Sequence, residues 1–239
     1  MTGFLSRLTG ALRGSGRPKP AARDNVAPSH ASASPAGSRD AAIRNAQREF
    51  EAACALLTHD DVTIDCGANV GQFTARLADT GARVYAFEPN PHAFAALKAR
   101  FEGRPNVSLI QAAVNSEPGS VRLYMHKNAG EDQLLWSTGS SILDYKGNVD
   151  PGNFVETPAV DLCDFVEKLA KPIAVLKMDV EGAEAQILKR LIETGAYRRV
   201  KRMFVETHEA KIPELRLAIA ELRALIRQRG IDTINLDWE

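Results

Sequence analysis

One stretch, VTIDCGANVGQF at residues 62–73, limits the possible folds more than any other part of the chain. A run of β-forming residues reaches Asp65, and a turn follows in which Gly67 and Gly71 bracket three residues. A strand that passes through a glycine turn into a helix is the first half of a βα unit. In sheets built from such units, the first turn faces the crevice that binds the ligand. The stretch therefore predicts both a fold class and the position of a binding site.

Strands and helices alternate along the rest of the chain. The hydrophobic pattern predicts strands at residues 62–66, 83–88, 106–114, 173–180, 200–208 and 231–238. It predicts a first helix that begins at Asp40 as N-cap, followed by helices at residues 71–80, 91–101, 183–193 and 213–230. Repeated βα units indicate an α/β domain at residues 40–239, with a doubly wound and mainly parallel sheet.

The composition narrows the classes of function. The chain has 239 residues with 30 basic and 30 acidic side chains, and this zero net charge argues against nucleic acid as a partner. Three cysteines at no metal-ligand spacing indicate reduced thiols, and we expect a cytoplasmic protein. No apolar run approaches the roughly 18 residues of a transmembrane helix.

The first 39 residues differ from the rest. Residues 14–39 consist mainly of Gly, Ser, Pro, Ala and Arg, and this composition predicts a disordered leader. Ahead of it, residues 4–13 (FLSRLTGALR) place apolar side chains on one helical face, and residues 1–23 contain five basic and no acidic side chains. The pattern indicates either a short amphipathic helix in weak contact with a membrane surface or partner protein, or a solvated tail.

Residues 113–160 interrupt the alternation. GSVRLYMH at 119–126 is typical of an exposed strand, and the residues after it are rich in turn formers. We predict an irregular insertion at the carboxyl edge of the sheet, where substrates bind in this architecture. The candidate substrate contacts are Ser140, Ser141, Trp136 and Tyr145. The alternatives are that the serines are only solvated and that the aromatic rings anchor the insertion.

Glu88 and the glycine turn together indicate the kind of ligand. Glu88 ends the second strand, where an acidic residue can bind the hydroxyls of a ribose. The turn lacks the G-x-G-x-x-G spacing that brings a pyrophosphate to a helix N-terminus. A negative charge at Asp65 would repel a pyrophosphate and suit a cationic sulfonium. These features favour S-adenosylmethionine (SAM) over NAD, although Asp65 could merely form an Asx turn and Glu88 a surface salt bridge.

Four segments in this order, DCGANVGQF, AFEPNPHAFAAL, LKMDVEGAEAQIL and FVETH, resemble the FkbM-type SAM-dependent methyltransferases over roughly residues 60–210. The resemblance implies a class I, Rossmann-like methyltransferase fold and methyl transfer to a hydroxyl of a small acceptor, a sugar or secondary metabolite. The expected cofactor contacts are Asp65, Gly67, Asn69, Val70, Gly71, Glu88, Pro89, Ala113 and Asp179. The alternative functions are an NAD-dependent oxidoreductase and a non-catalytic SAM-binding partner protein.

Acidic residues and a histidine follow the fourth and fifth strands. Methyl transfer to an alcohol requires a group that removes the hydroxyl proton. Asp179 and Glu181 end one strand, and Glu206 and His208 end its neighbour, so all four should border one crevice. We predict His208 as the base, with Glu206 as its orienting residue or co-base. The alternatives are helix capping by the acids, a structural histidine, or a bound Mg²⁺, and we favour a site without a metal.

Overall fold

A computed structural model describes residues 35–239, with side chains described from Arg39 onward. The predicted amphipathic helix at residues 4–13 and most of the predicted leader lie outside these residues. Helix α1 spans Pro35–Ala55, so it begins ahead of the predicted start at Asp40. Asp40 is therefore an internal helix residue and not the N-cap. In the described part of the chain, no helix is long and apolar enough to cross a membrane.

The central sheet has six strands, and every neighbouring pair is parallel. The strands are β1 (Val62–Cys66), β2 (Arg83–Phe87), β3 (Val107–Ile110), β7 (Ile173–Met178), β8 (Val200–Val205) and β9 (Ile234–Asn235). Their order across the sheet is β3-β2-β1-β7-β8-β9. The order reverses at β1, and such a switch point opens a ligand crevice at the carboxyl ends of the strands.

Helices cover both faces of this sheet. They are α2 (Gln72–Asp79), α3 (Pro91–Phe101), α4 (Leu162–Lys168), α5 (Glu184–Thr194) and α6 (Arg216–Gln228), in addition to α1. Apolar side chains of α1, α2 and α3 form one buried cluster, and those of α4, α5 and α6 form the other. The doubly wound α/β architecture is thus confirmed. Asn90 caps α3, because its side chain accepts hydrogen bonds from the amides of His92 and Ala93.

A second sheet occupies the segment predicted to be an irregular insertion. It contains β4 (Ala113–Asn115), β5 (Gly119–His126) and β6 (Val149–Asp161), in the order β4-β6-β5. The predicted strand at residues 106–114 is split, so that β3 belongs to the central sheet and β4 to the second one. The prediction of an irregular segment is therefore wrong for residues 149–160, which pair antiparallel with β5 over most of its length.

Candidate functional site

Residues from both sheets line one crevice at the carboxyl edge of the central sheet. Its floor is formed where β1, β2, β7 and β8 end, and the insertion covers one side. Among the predicted site residues, the lining includes Gly67, Asn69, Glu88, Pro89, Ala113, Ser140, Asp179, Glu181 and Glu206. The crevice is therefore at the position where doubly wound sheets bind their ligands.

Gly67 is required by the close approach of two strand ends. Its φ is +78°, and a Cβ at this position would lie 1.8 Å from the carbonyl oxygen of Asp179. The amide of Asp179 also donates to the carbonyl of Cys66, with 3.0 Å between N and O. The glycine thus lets the first turn lie directly beside the end of β7, which brings Asp179 next to the turn.

Glu88 connects the first turn to the start of α3. Its Oε2 accepts a hydrogen bond from the amide of Asn69, and its Oε1 accepts one from the amide of Asn90, each at 2.8 Å. Only 6% of the residue is exposed. Burial outweighs these hydrogen bonds and raises the pKa of Glu88 to about 7. The carboxylate is therefore both a brace for the turn and a titratable group facing the crevice.

Asp65 lies beneath the turn and not in the crevice lining. It is fully buried, and its Oδ2 accepts a hydrogen bond of 2.7 Å from Thr74. Nζ of Lys177 lies 3.3 Å from Oδ1 and donates to the carbonyl of Gly67 at 2.7 Å. Burial alone would lower the pKa of Lys177, but Asp65 and Asp179 outweigh it and raise this pKa. The negative charge predicted to select a cationic ligand is therefore compensated within the protein.

Val70 and Gly71, two further predicted cofactor contacts, lie against helix α3. Gly71 has a φ of +84°, and a Cβ there would lie 2.4 Å from a ring carbon of Phe101. The carbonyl of Val70 accepts a hydrogen bond from Arg100. Gly71 therefore allows α2 to approach α3, and neither residue belongs to the crevice lining.

His208 lies at the centre of a group of acids. Nδ1 is 2.9 Å from Oε1 of Glu184, and Nε2 is 3.2 Å from Oε2 of Glu181. Nε2 is also 3.6 Å from Asp179 Oδ1 and 3.6 Å from Glu206 Oε1. Asp179 is held against Glu181 and Glu206, and its burial together with their charges raises its pKa despite Lys177. The four predicted catalytic residues thus come together as expected.

The environment of His208 does not suit a general base. Burial opposes the charged ring, but the nearby carboxylates of Glu181 and Glu184 outweigh it and raise the pKa of His208 to about 10. Burial likewise opposes the charge of Glu181, yet its contacts with His208 and Lys146 lower its pKa to about 2. In the chain by itself the ring is therefore protonated at neutral pH. A protonated ring cannot accept a proton, and we do not assign the role of base to His208.

The four predicted substrate contacts are in different places. Ser140 lines the crevice, and Trp136 stacks on His126 in an adjoining cavity, with 4.4 Å between ring centroids. Ser141 is buried, and its hydroxyl donates to the carbonyl of Glu181 at 2.6 Å. Tyr145 lines a separate groove between α5 and α6. Ser141 therefore anchors the insertion, and the structure does not bring Tyr145 to the crevice.

Several polar residues of the site were missed by the sequence analysis: Lys146, Lys177, Glu184 and Lys211. Lys177 was detectable, because a lysine within the apolar run IAVLKM has to be buried with a charged partner. Glu184 stood in the quoted segment LKMDVEGAEAQIL, but only the fold shows that it contacts His208. Lys146 and Lys211 lie in loops without any recognisable pattern.

The parallel sheet, its switch point and this crevice define a Rossmann-like fold of the class I methyltransferase type. The sequence pattern of the Methyltransferase FkbM domain matches residues 65–232 of the chain. The chain therefore belongs to the FkbM methyltransferase family.

Known proteins similar to the chain include two sequence relatives and a solved structure. It is 31% identical over 201 residues to the 31-O-demethyl-FK506 methyltransferase FkbM of Streptomyces tacrolimicus, covering 73% of this chain and 74% of that protein. It is 29% identical over 156 residues to the hexuronic acid methyltransferase AglP of Haloferax volcanii, covering 65% of this chain and 59% of that protein. The precorrin-6y C5,15-methyltransferase structure from Geobacter metallireducens GS-15 has 13% identity and a TM-score of 0.40, covering 77% and 71% of the two chains.

Proposed function

We propose that the protein transfers a methyl group from SAM to a hydroxyl of a small acceptor, a sugar or a secondary metabolite. The observation that carries this proposal is the arrangement of acids along the crevice. Glu88 follows β2, and Asp179 and Glu206 follow β7 and β8, with the β1 turn between them. One end of the crevice is thus suited to a nucleoside and the other to a reacting hydroxyl.

Glu88 and the turn of Gly67 and Asn69 are suited to the cofactor. Each oxygen of Glu88 accepts one backbone amide, and a carboxylate oxygen has a second lone pair for a ribose hydroxyl. Gly67 and Asn69 both border the crevice, so a ligand can contact the backbone of the turn. We expect Pro89, Ala113 and Asp179 to complete the cofactor contacts. When bound there, SAM supplies a methyl group on a cationic sulfur and leaves as S-adenosylhomocysteine.

Asp179 and Glu206 are suited to the acceptor. The hydroxyl proton has to leave as the oxygen–methyl bond forms, and a carboxylate within hydrogen-bond reach can take it. Both acids line the crevice together with Ser140, whose hydroxyl accepts a hydrogen bond from Asn90 at 3.1 Å. We expect Ser140 to orient the acceptor, and the cavity beside Trp136 to hold the part of it that does not react.

The names of the two relatives support a small hydroxylated acceptor. One is a methyltransferase of 31-O-demethyl-FK506, and the other of hexuronic acid. We therefore propose an alcohol on a secondary metabolite or on a sugar acid as the methyl acceptor of this protein.

Calorimetric titration followed by an acceptor screen tests the proposal. We expect SAM and S-adenosylhomocysteine to bind with one equivalent and NAD to release no heat. An acceptor panel of hexuronic acids and hydroxylated secondary metabolites, incubated with methyl-labelled SAM, should then yield a labelled methyl ether. Binding of NAD in place of SAM would overturn the proposal. Binding of SAM without turnover on any alcohol, while a partner protein is retained, would instead support the non-catalytic alternative.

We further propose that the protein acts in the cytoplasm. Within the described residues, all three cysteines are buried and free, as is common where thiols stay reduced. We also propose that the leader ahead of α1 makes only a weak contact with a membrane surface or a partner protein.

A further inference from the structure

The ring of His208 has one nitrogen that is buried and unpaired. The side chain is fully buried, and its Nδ1 is hydrogen-bonded to Glu184. Within residues 35–239, Nε2 has no hydrogen-bond partner, and the same is true of Oδ1 of Asp179. Nε2 lies 3.2 Å from an oxygen of Glu181, but the contact lacks hydrogen-bond geometry. Buried polar atoms without partners cost free energy, so a group that binds both of them would stabilise this end of the crevice.

We propose that this group is one divalent cation, with His208 Nε2, Asp179 Oδ1 and Glu206 Oε1 as its protein ligands. These residues present ligand atoms that all lie within 4.8 Å of one another. In an octahedral site with bonds of about 2.1 Å, two neighbouring ligand atoms are about 3 Å apart and two opposite ligand atoms are roughly 4.2 Å apart. Small side-chain movements therefore close the site. One imidazole nitrogen with two carboxylate oxygens suits a cation of the Mn²⁺ type.

Glu184 orients the histidine for this purpose. It is fully buried, and its Oε1 accepts from the amide of Gly182 at 3.0 Å as well as contacting Nδ1 of His208. An ionised carboxylate only accepts hydrogen bonds, so the hydrogen of a neutral ring must be on Nδ1. The lone pair of Nε2 then points towards Asp179 and Glu206. A carboxylate behind a histidine ligand is the usual arrangement in metal sites.

The surrounding charges also favour a dication. Around a neutral His208, the acids outnumber the lysines by two: Asp65, Asp179, Glu181, Glu184 and Glu206 against Lys146, Lys177 and Lys211. One cation of charge two would balance this group. Lys211 is paired with Oε1 of Glu206 at 2.8 Å, but its side chain is 56% exposed. It can therefore move into solvent when an ion takes its place.

The cation site is inferred from contacts within this chain alone, whereas the catalytic role of the cation depends on the proposed function. A cation here would bind the acceptor hydroxyl and lower its pKa. The hydroxyl proton would pass to a crevice carboxylate as the oxygen–methyl bond forms and the methyl–sulfur bond breaks. Asp179, Glu206 and His208 would then act as ligands, and Glu184 as a positioning residue.

Titration of the full chain with Mn²⁺ tests the site without cofactor or acceptor. The protein is stripped with EDTA, transferred to metal-free buffer and followed by electron paramagnetic resonance. We expect one equivalent of bound Mn²⁺, with a nitrogen hyperfine coupling from the imidazole in the spin-echo modulation. Several weak sites without nitrogen coupling, or no binding, would overturn the proposal and leave His208 as a cation that only neutralises its acidic neighbours.

Variants separate the ligands from the fold. Asp179→Asn and Glu206→Gln should abolish Mn²⁺ binding, and both residues are partly exposed, so circular dichroism and melting should stay unchanged. Glu184→Gln should weaken Mn²⁺ about 10–100-fold, because an amide donor moves the ring hydrogen to Nε2. Glu193→Gln, an exposed carboxylate on α5, serves as the matched control and should bind normally. Unaltered Mn²⁺ binding by both ligand variants would refute the assignment.

Methyl transfer then distinguishes the site from the function. With a known acceptor, EDTA should abolish turnover and Mn²⁺ should restore it. Mn²⁺ binding without methyl transfer to any alcohol would support the cation site and contradict the proposed function. Methyl transfer that persists in EDTA, in a protein that binds no Mn²⁺, would support the proposed function and contradict the cation site.

Discussion

Oε2 of Glu88 lies 2.8 Å from the backbone nitrogen of Asn69 and accepts its hydrogen bond. This contact joins the end of β2 to the turn that follows β1. Because the carboxylate is nearly buried and still borders the crevice, the same side chain shapes the turn and is available to a ligand. The expectations for the cofactor end of the crevice follow from this double role.

Glu88→Gln should weaken SAM binding by at least tenfold while the fold is retained. The amide keeps one acceptor oxygen, but its nitrogen cannot accept a ribose hydroxyl, and a hydrogen bond to a charged group contributes about 1.5–3 kcal/mol. Calorimetric titration measures the affinity, and circular dichroism checks the fold. Glu117→Gln, at an exposed acid, is the control. Equal affinities of the two variants would remove Glu88 from the cofactor site.

The affinity for SAM should rise between pH 6 and pH 8. The pKa of Glu88 is raised to about 7, so the carboxylate that accepts the ribose hydroxyls becomes populated only as the pH passes this value. Titrations across this range should show the rise in the natural protein and a flat profile in Glu88→Gln. A rise of the same size in both proteins would assign the titration to another group.

The stability of the unliganded protein should change in the opposite sense. A carboxyl whose folded pKa lies above its unfolded value stabilises the fold fully below the unfolded value, which is 4.5 for Glu, and loses this contribution as the pH rises through about 7. The free energy of unfolding of the natural protein, relative to that of Glu88→Gln, should therefore decrease as the pH rises from 5 to 8. Urea unfolding at several pH values measures the difference, and a constant difference would contradict the raised pKa.

Lys177→Met should destabilise the protein by about 3–5 kcal/mol, because it leaves the charge of Asp65 buried without its partner. Lys177 is 2% exposed in its side chain, and Asp65 is fully buried. The double variant Asp65→Asn with Lys177→Met should recover much of the loss, since no isolated charge remains. Urea unfolding of the natural protein, both single variants and the double variant gives a double-mutant cycle. Additive losses would show that the two side chains are not energetically coupled.

Gly67→Ala should be far more destabilising than Gly81→Ala. Both glycines have positive φ, +78° and +88°, so both variants incur the left-handed backbone cost of about 1–2 kcal/mol. A Cβ at Gly67 also meets the Asp179 carbonyl at 1.8 Å, whereas one at Gly81 has its nearest neighbour at 3.5 Å. The difference in melting temperature between the two variants measures the cost of the close approach to Asp179 separately from the backbone cost. Similar losses would mean that the turn can move away from β7.

Removal of residues 1–34 should leave the melting temperature and the SAM affinity unchanged. Residues 14–34 contain Val26 as their one large apolar side chain, and we propose that the apolar residues at 4–13 contact a membrane surface or a partner protein instead of the domain, so the domain loses no hydrophobic burial. Scanning calorimetry and titration of the shortened chain test this. A fall of more than a few degrees would show that the leader contributes to the stability of the domain.

Local sequence patterns were sufficient to predict most strands of the central sheet. The strand at residues 62–66 and the helix at residues 91–101 are where the sequence placed them, because apolar runs and helix start signals act over a few positions. Strand β6 and helix α4 were missed. Pro151, Gly152 and Pro158 lie within β6 and lower its local β propensity, and its stability comes from pairing with β5.

The sequence by itself determined the order of the βα units and the positions of Glu88, Asp179 and Glu206 at strand ends. Both follow from patterns that are local along the chain. Only the tertiary structure decided which charges face the crevice. Lys177 neutralises Asp65 because the register of β7 on β1 places them side by side. His208 meets Glu184 because the end of β8 lies against the start of α5. Charge and pKa depend on such distant neighbours, and no local pattern encodes them.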